Sequence, residues 1–220
     1  SYLFYFVDSG IFFILLLFIS LSDFWIAKRI HAKSDSAKRK RLLTLSILVN
    51  LGILGFFKYV NFSTETINTL LNAIGIANAL PILNVDLPVG ISFFTFQSMS
   101  YTIDVYRKKL KPTDSFLEFA LFVAFFPQLV AGPIVRAIDF LPQLRNKIRI
   151  TYENTKLGLT YIGWGIVKKV VFADNIAPLV NALFSDPGPH STIPIWIGAL
   201  AFGIQIYCDF SAYTDIAIGS

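Results

Sequence analysis

Cysteine is almost absent from this chain, and histidine and charge are scarce. The single cysteine, Cys208, excludes an internal disulfide and a cysteine-built metal centre. The two histidines, His31 and His190, are too far apart to pair as metal ligands. Neither stands in a catalytic context. His31 sits among basic loop residues and His190 in a Pro-Gly-Pro-His turn, where a histidine is more often a bystander than a base. No glycine-rich phosphate loop, nucleophile elbow or zinc spacing is present. Charged residues are 15% of the 220 positions, against about a quarter in a soluble domain. No basic residue precedes the first apolar run, so that run is not expected to be a secretory signal. Internal repeats, a soluble domain and low-complexity linkers are also missing.

What is present is apolar: 55% hydrophobic residues, 15% aromatic, and a mean hydropathy of +0.62. Long apolar runs with charges collected between them predict an all-α fold, a polytopic transmembrane bundle. One membrane domain covering 1–220 is expected, with a re-entrant broken helix and short interfacial helices. Both ends fall inside apolar runs, so the chain is expected to be part of a longer protein. The net charge of +5 sits in short loops, where it sets orientation; nucleic acid is not an expected partner, and the lipid bilayer is.

Spans are predicted at residues 11–27, 42–59 and 87–106, the first with a possible start near Tyr2. Asp23 and Trp25 fall near the end of the first span, at the interface. The loop after it holds Lys28, Arg29, Lys33, Lys38, Arg39, Lys40 and Arg41, and the loop after the third span holds Arg107, Lys108, Lys109 and Lys111. Both are placed in the cytoplasm by charge. Residues 63–75 carry Ile67, Leu70, Leu71 and Ile74 at helical spacing, with Asn68, Thr69 and Asn72 on other faces, Ser63 as cap and Gly75 as stop. They predict a short helix lying in the outer interface. The third span is rich in Ser and Thr, which hydrogen-bond across helix bundles.

Residues 121–137 are apolar yet badly made for crossing a bilayer. Pro127 removes a donor, Gly132 and Pro133 invite a reversal, and Gln128 sits beside the break. A kinked span and a re-entrant segment both fit this pattern. The basic loop that follows, with Arg136, Arg145, Lys147, Arg149 and Lys156, favours the second. Only a segment that returns leaves those charges on the same side as the others.

Residues 157–183 predict one helix with Lys168 and Lys169 near its middle, followed by a turn-rich loop and a last apolar segment over 193–220. In that segment Gln205, Asp209 and Tyr213 recur at i, i+4, i+8, and Ser211 and Asp215 form a second i, i+4 pair. Carboxylates in a membrane helix must line a cavity or pair, and Lys168 or Lys169 is a possible partner. A chamber lining and a purely structural polar network are equally compatible with the pattern.

Four segments, in order, resemble the membrane-bound O-acyltransferases. They are Leu87-Pro-Val-Gly-Ile-Ser-Phe-Phe-Thr-Phe-Gln-Ser-Met-Ser-Tyr-Thr-Ile-Asp-Val-Tyr-Arg107, Phe125-Phe-Pro-Gln-Leu-Val-Ala-Gly-Pro-Ile-Val-Arg136, Gly165-Ile-Val-Lys-Lys-Val-Val-Phe-Ala-Asp174 and Tyr207-Cys-Asp-Phe-Ser-Ala-Tyr-Thr-Asp-Ile-Ala-Ile-Gly219. The likeness is to the branch of alginate and bacterial cell-wall O-acylation, and it runs over nearly the whole chain. It implies transfer of an acyl group, as acetyl, from a cytoplasmic thioester such as acetyl-CoA to a hydroxyl. The hydroxyl belongs to an extracytoplasmic polysaccharide or partner protein, and a periplasmic or extracellular acyltransferase is an implied partner. A bacterial inner-membrane location follows from the same likeness. No bound cofactor or metal is expected.

The resemblance also implies a histidine general base in a Trp-His-Ile-Ser-like motif downstream of the last segment. That motif is not among these residues, so no catalytic residue is assigned and the isolated chain is expected to be inactive. Pro127, Gln128, Asp209, Tyr213 and Asp215 are the expected tunnel-lining or supporting groups. Arg136, Lys168 and Lys169 are the expected basic groups on the donor side. A transporter or channel subunit with intramembrane carboxylates, or a scaffold for a periplasmic acyltransferase, is the alternative.

Overall fold

In the computed structural model, residues 1–76, 80–81, 83, 85–125, 129, 135–146, 150–185 and 192–220 are described. Among them there is no strand. The helices are α1 (Tyr2–Ser9), α2 (Phe13–Ala32), α3 (Ser36–Ala73), α4 (Ile91–Tyr106), α5 (Phe116–Val123), α6 (Ala137–Arg145), α7 (Tyr152–Val167), α8 (Asp174–Ser185) and α9 (Thr192–Gly219). The chain forms two compact units, Ser1–Phe126 with Ile134–Asn146, and Pro127–Pro133 with Lys147–Ser220. The stretches Tyr2–Ala32, Ser36–Ala73 and Ile193–Gly219 are long and apolar enough to cross a membrane. The protein is an α-helical membrane protein.

The first unit begins with a reversal. Gly10 takes φ 56° after α1, and the Tyr2 hydroxyl meets Ser20 Oγ at 2.9 Å. Eighteen residues of straight helix would separate those groups by about 27 Å, so α1 folds back along α2. The expected first span is therefore α2 alone, 20 residues long, or about 30 Å.

The expected interfacial helix at 63–75 does not exist as a separate element. It is the far end of α3, which runs unbroken for 38 residues, about 57 Å, nearly twice the hydrocarbon thickness of a bilayer. The polar residues that suggested a wet face serve another purpose. Asn61 donates to the Val85 carbonyl at 2.8 Å and accepts from its N–H at 3.0 Å. Asn68, one heptad on, does the same for Leu80 at 2.9 and 3.0 Å. The returning chain is thus stitched to α3 by side chains that stand in for a missing strand partner. Gly75 ends the helix as expected, at φ 86°. Ile76 N–H bonds Leu71 C=O and Gly75 N–H bonds Asn72 C=O, the Schellman pattern.

The expected break at Pro127, Gln128, Gly132 and Pro133 lies outside the described residues, but both arms beside it are described. Ser115 caps α5 by accepting from Glu118 N–H, and α6 runs back antiparallel to it. Phe140 packs on Phe122 and Phe125 at centroid distances of 5.7 and 4.9 Å. At the other end Arg145, in the last turn of α6, pairs with Glu118, in the first turn of α5, at 2.8 Å. Each arm has 8 or 9 residues, less than half the roughly 20 a spanning helix needs. The chain enters and leaves at one end of this unit. The terminal carbonyl of α5 at Phe122 accepts a hydrogen bond from Gln97 of α4, so protein satisfies a group that lipid would leave bare.

The basic loops gather at that same end. Lys28 pairs with Asp114 at 3.5 Å, Arg39 donates to the Tyr106 carbonyl and stacks on its ring, and Arg145 donates to Thr113 Oγ1 at 3.1 Å. Inside the bundle, Asp23 is fully buried rather than interfacial. It accepts from Ser46 at 2.6 Å, Asn50 at 2.8 Å and Ser98 at 2.6 Å, drawing α2, α3 and α4 onto one carboxylate.

Two outcomes follow. Asp23→Ala strips three buried donors of their acceptor and should lower stability by about 2–4 kcal/mol. Asp23→Asn keeps one acceptor oxygen for Asn50, lets a serine hydroxyl turn to accept, and should lose only about 1 kcal/mol. Thermal unfolding in detergent reads both, and equal losses would contradict the three-helix hub. For Glu118, the hydrogen bonds from Arg145 and then Thr113 hold the carboxyl below the ordinary carboxylate range. Its pairing therefore stabilises the fold above the ordinary glutamate pKa, and that contribution fades as pH falls through the lowered one. A melting profile against pH should show this acid limb in the wild type and a flatter one in Glu118→Gln.

Candidate functional site

The second unit carries the cluster of intramembrane charges, and glycine makes it possible. A Cβ on Gly165 would lie 2.7 Å from the Ala212 carbonyl and 2.6 Å from Ile216 Cγ1, and one on Gly158 would lie 2.6 Å from the Gly219 carbonyl. These two small residues let the backbones of α7 and α9 touch, as in other close-packed membrane helices. The approach leaves α7 within lysine reach of α9.

The expected single helix over 157–183 is interrupted at the lysines. Lys168–Ala173 forms a π turn between α7 and α8. Pro178, inside α8, has no N–H to donate and crowds the carbonyl of Asp174, the residue that follows the π turn. Within the turn, Asn175 donates to the carbonyls of Val170 and Val171 at 2.9 Å each. A wider turn brings residues five apart onto one face. Accordingly Lys169 reaches Asp174, at i+5, at 2.8 Å. Successive side chains also diverge less there, so the adjacent lysines both face α9.

Each lysine takes a different partner on that helix. Lys168 Nζ lies 2.7 Å from Asp215 and 2.8 Å from Ser211 Oγ. Lys169 Nζ lies 2.7 Å from Asp209 and 5.9 Å from the Tyr213 ring centre. The two faces read from the sequence are therefore the two faces that the lysines separate. Asp174 is the member the sequence reading missed, although its i+5 place after Lys169 was visible. The cluster holds two ammonium groups against three carboxylates and leaves its members partly open to the surface. Gln205, one turn from Asp209, has a buried Oε1 with no partner among the described residues.

Chemically this is a charge-compensated polar surface, not a nucleophile with its base. An ammonium donating to Asp215 has no lone pair with which to take the Ser211 proton. No group of three or more His, Cys, Asp or Glu suited to a metal occurs among the described residues. Pro127, Gln128 and His190 lie outside the described residues. His31 and Arg136 belong to the first unit, where Arg136 precedes α6 and its carbonyl accepts from Phe140 N–H at 3.1 Å. The Asp23 hub was also missed: Ser46 and Asn50, at i and i+4, were its signal, together with a carboxylate in an apolar helix.

No family model matches the chain. It is 40% identical over 204 residues to the probable alginate O-acetylase AlgI of Azotobacter vinelandii, covering 91% of this chain and 40% of that protein. It is 39% identical over 220 residues to the AlgI of Pseudomonas aeruginosa, covering 100% of this chain and 42% of that one. To the peptidoglycan O-acetyltransferase of Helicobacter pylori it is 35% identical over 223 residues, covering 90% and 41%. The chain spans about two fifths of the length of these curated relatives. The helices, the paired charges and this likeness agree with the four quoted segments, and the chain belongs to the membrane-bound O-acyltransferase family, in the branch that holds alginate and peptidoglycan O-acetylating proteins.

Proposed function

We propose that the whole protein transfers an acetyl group from a cytoplasmic thioester, such as acetyl-CoA, to a hydroxyl of an extracytoplasmic polysaccharide or of a partner that modifies one. It acts in the bacterial cytoplasmic membrane. The observation that carries this reading is the 39% identity, over all 220 residues, to a protein named as an alginate O-acetylase. The charge pattern supports the direction of transfer. An anionic donor arrives where Lys and Arg collect, and the positive-inside rule puts that end in the cytoplasm.

Transfer to a hydroxyl needs a base for its proton and an environment that stabilises the charge developing on the thioester carbonyl. This chain's residues serve the second requirement and the shape of the path. Asp209, Tyr213 and Asp215 line the way, with Lys169 and Lys168 holding Asp209 and Asp215 in place. Pro127 and Gln128 stay assigned to the path on sequence grounds alone, and Arg136 is assigned to the donor side. The base is the family's histidine in its Trp-His-Ile-Ser-type motif, which neither His31 nor His190 occupies. Catalysis is therefore assigned to the whole protein.

Asp209→Asn in the full-length protein should leave a monodisperse, folded molecule, because Lys169 keeps Asp174. It should cut acyl transfer per folded molecule by about a hundredfold, the loss expected for one well-placed electrostatic interaction. Near wild-type turnover would reduce Asp209 to helix packing. Orientation is open to single-cysteine labelling in a Cys208→Ser background. Cysteines at Ser34 and Asn146 should both react from the cytoplasmic side only. Labelling of Asn146→Cys from outside alone would overturn both the re-entrant path and the donor side.

A further inference from the structure

At the basic end of the first unit, between the end of α2, the start of α3 and the end of α4, lies a cleft of about 410 Å³. It is lined by His31, Lys33, Arg39, Lys108 and Lys111, with Leu110 as its apolar wall. Topology requires positive charge in these loops, but it does not require a cavity, nor a particular backbone at any one lysine. Lys108 has one. It sits at φ 60°, the only non-glycine residue with positive φ among those described.

The cause of that conformation is local. Lys108 N–H bonds Val105 C=O and Lys109 N–H bonds Asp104 C=O. This is the Schellman end of α4, with Lys108 at the left-handed position that helices ordinarily give to glycine. Gly75 fills the same place at the end of α3. A side chain with a Cβ is strained there, so lysine is the worse choice for the fold at this point. It is the better choice for the cleft, because it adds a lysine to a lining that already holds Lys33 and Lys111. Of the carboxylates nearby, Asp35 turns to its own helix, capping Ala37 N–H and pairing with Lys38 at 3.8 Å, and Asp114 pairs with Lys28. Lys33, Lys108 and Lys111 have no carboxylate partner among the described residues. Arg39 is held by Tyr106, which aims a fixed guanidinium at the site.

We propose that this cleft binds a phosphate group, supplied by the headgroup of an anionic phospholipid. Its place favours the lipid over a soluble phosphate. It lies where the last turn of one apolar helix and the first turn of the next meet the water, the level at which headgroups sit. The proposal is independent of acyl transfer and concerns the first unit alone.

The test uses full-length protein in detergent, with lipid retention read by native mass spectrometry and stability by thermal unfolding. Phosphatidylglycerol should be retained in preference to phosphatidylcholine. Lys108→Gly should weaken that retention about fivefold, the value of one cation near an anionic surface. It should melt no lower than wild type, since glycine relieves the strain. Lys109→Ala removes the same charge one residue outside the cleft and should retain the lipid. If Lys108→Gly does not fold, Lys33→Ala, also in the lining, carries the same expectation. Equal losses in the cleft variant and Lys109→Ala would overturn the site and leave only diffuse charge. Binding of inorganic pyrophosphate with no preference for phosphatidylglycerol would overturn the lipid as the source.

Discussion

In hydrocarbon a polar group that finds no partner is left bare, and that constraint governs every irregular feature of this protein. At several points among the described residues where the backbone leaves a regular helix, a side chain from a neighbouring element takes the freed group. Tyr5 donates to the carbonyl of Val89 just before α4, and Tyr101 accepts the N–H of Thr113 just after the loop that follows it. Gln97 closes the end of α5. Asn61 and Asn68 hold the chain returning from α3. The amides and hydroxyls of the first unit are thus the conditions under which short arms, reversals and an overlong helix can coexist with lipid.

The second unit meets the same constraint with charge. Two lysines in an apolar setting are tolerable only because carboxylates stand opposite, and those carboxylates are tolerable for the same reason. The close approach at Gly158 and Gly165 and the π turn over Lys168–Ala173 bring the five groups into register. Such an arrangement is preorganised: its dipoles and charges are set before any substrate arrives, which is the form electrostatic assistance to a reaction takes.

Several features could be read from residues alone because their cause is local. Apolar runs give spans, glycine gives helix stops, and the i, i+4 spacing in α9 gives the two polar faces. Other features were misread where a local signal had a distant cause. Asn68 looked like the wet side of an interfacial helix, because nothing in residues 63–75 shows that a chain segment twelve residues further on will bond to it. Asp23 looked interfacial from its place near the end of a span; only the arrival of Ser46, Asn50 and Ser98 from two other helices makes its burial possible. The helix expected through Lys168 does run on, but with a π turn over Lys168–Ala173 that the periodicity does not show.

The sequence by itself determined the class of molecule, the rough place of its longest apolar helices, the family, and the residues able to carry charge inside a membrane. These depend on composition, periodicity and short motifs, which survive in one dimension. Tertiary structure decided which charge meets which: Lys168 with Asp215, Lys169 with Asp209 and Asp174. It also decided that three helices share one buried carboxylate and that the loops around Lys108 enclose a cleft. Those outcomes depend on how closely two backbones approach and on how a turn rotates a side chain, and neither quantity exists until the helices have packed.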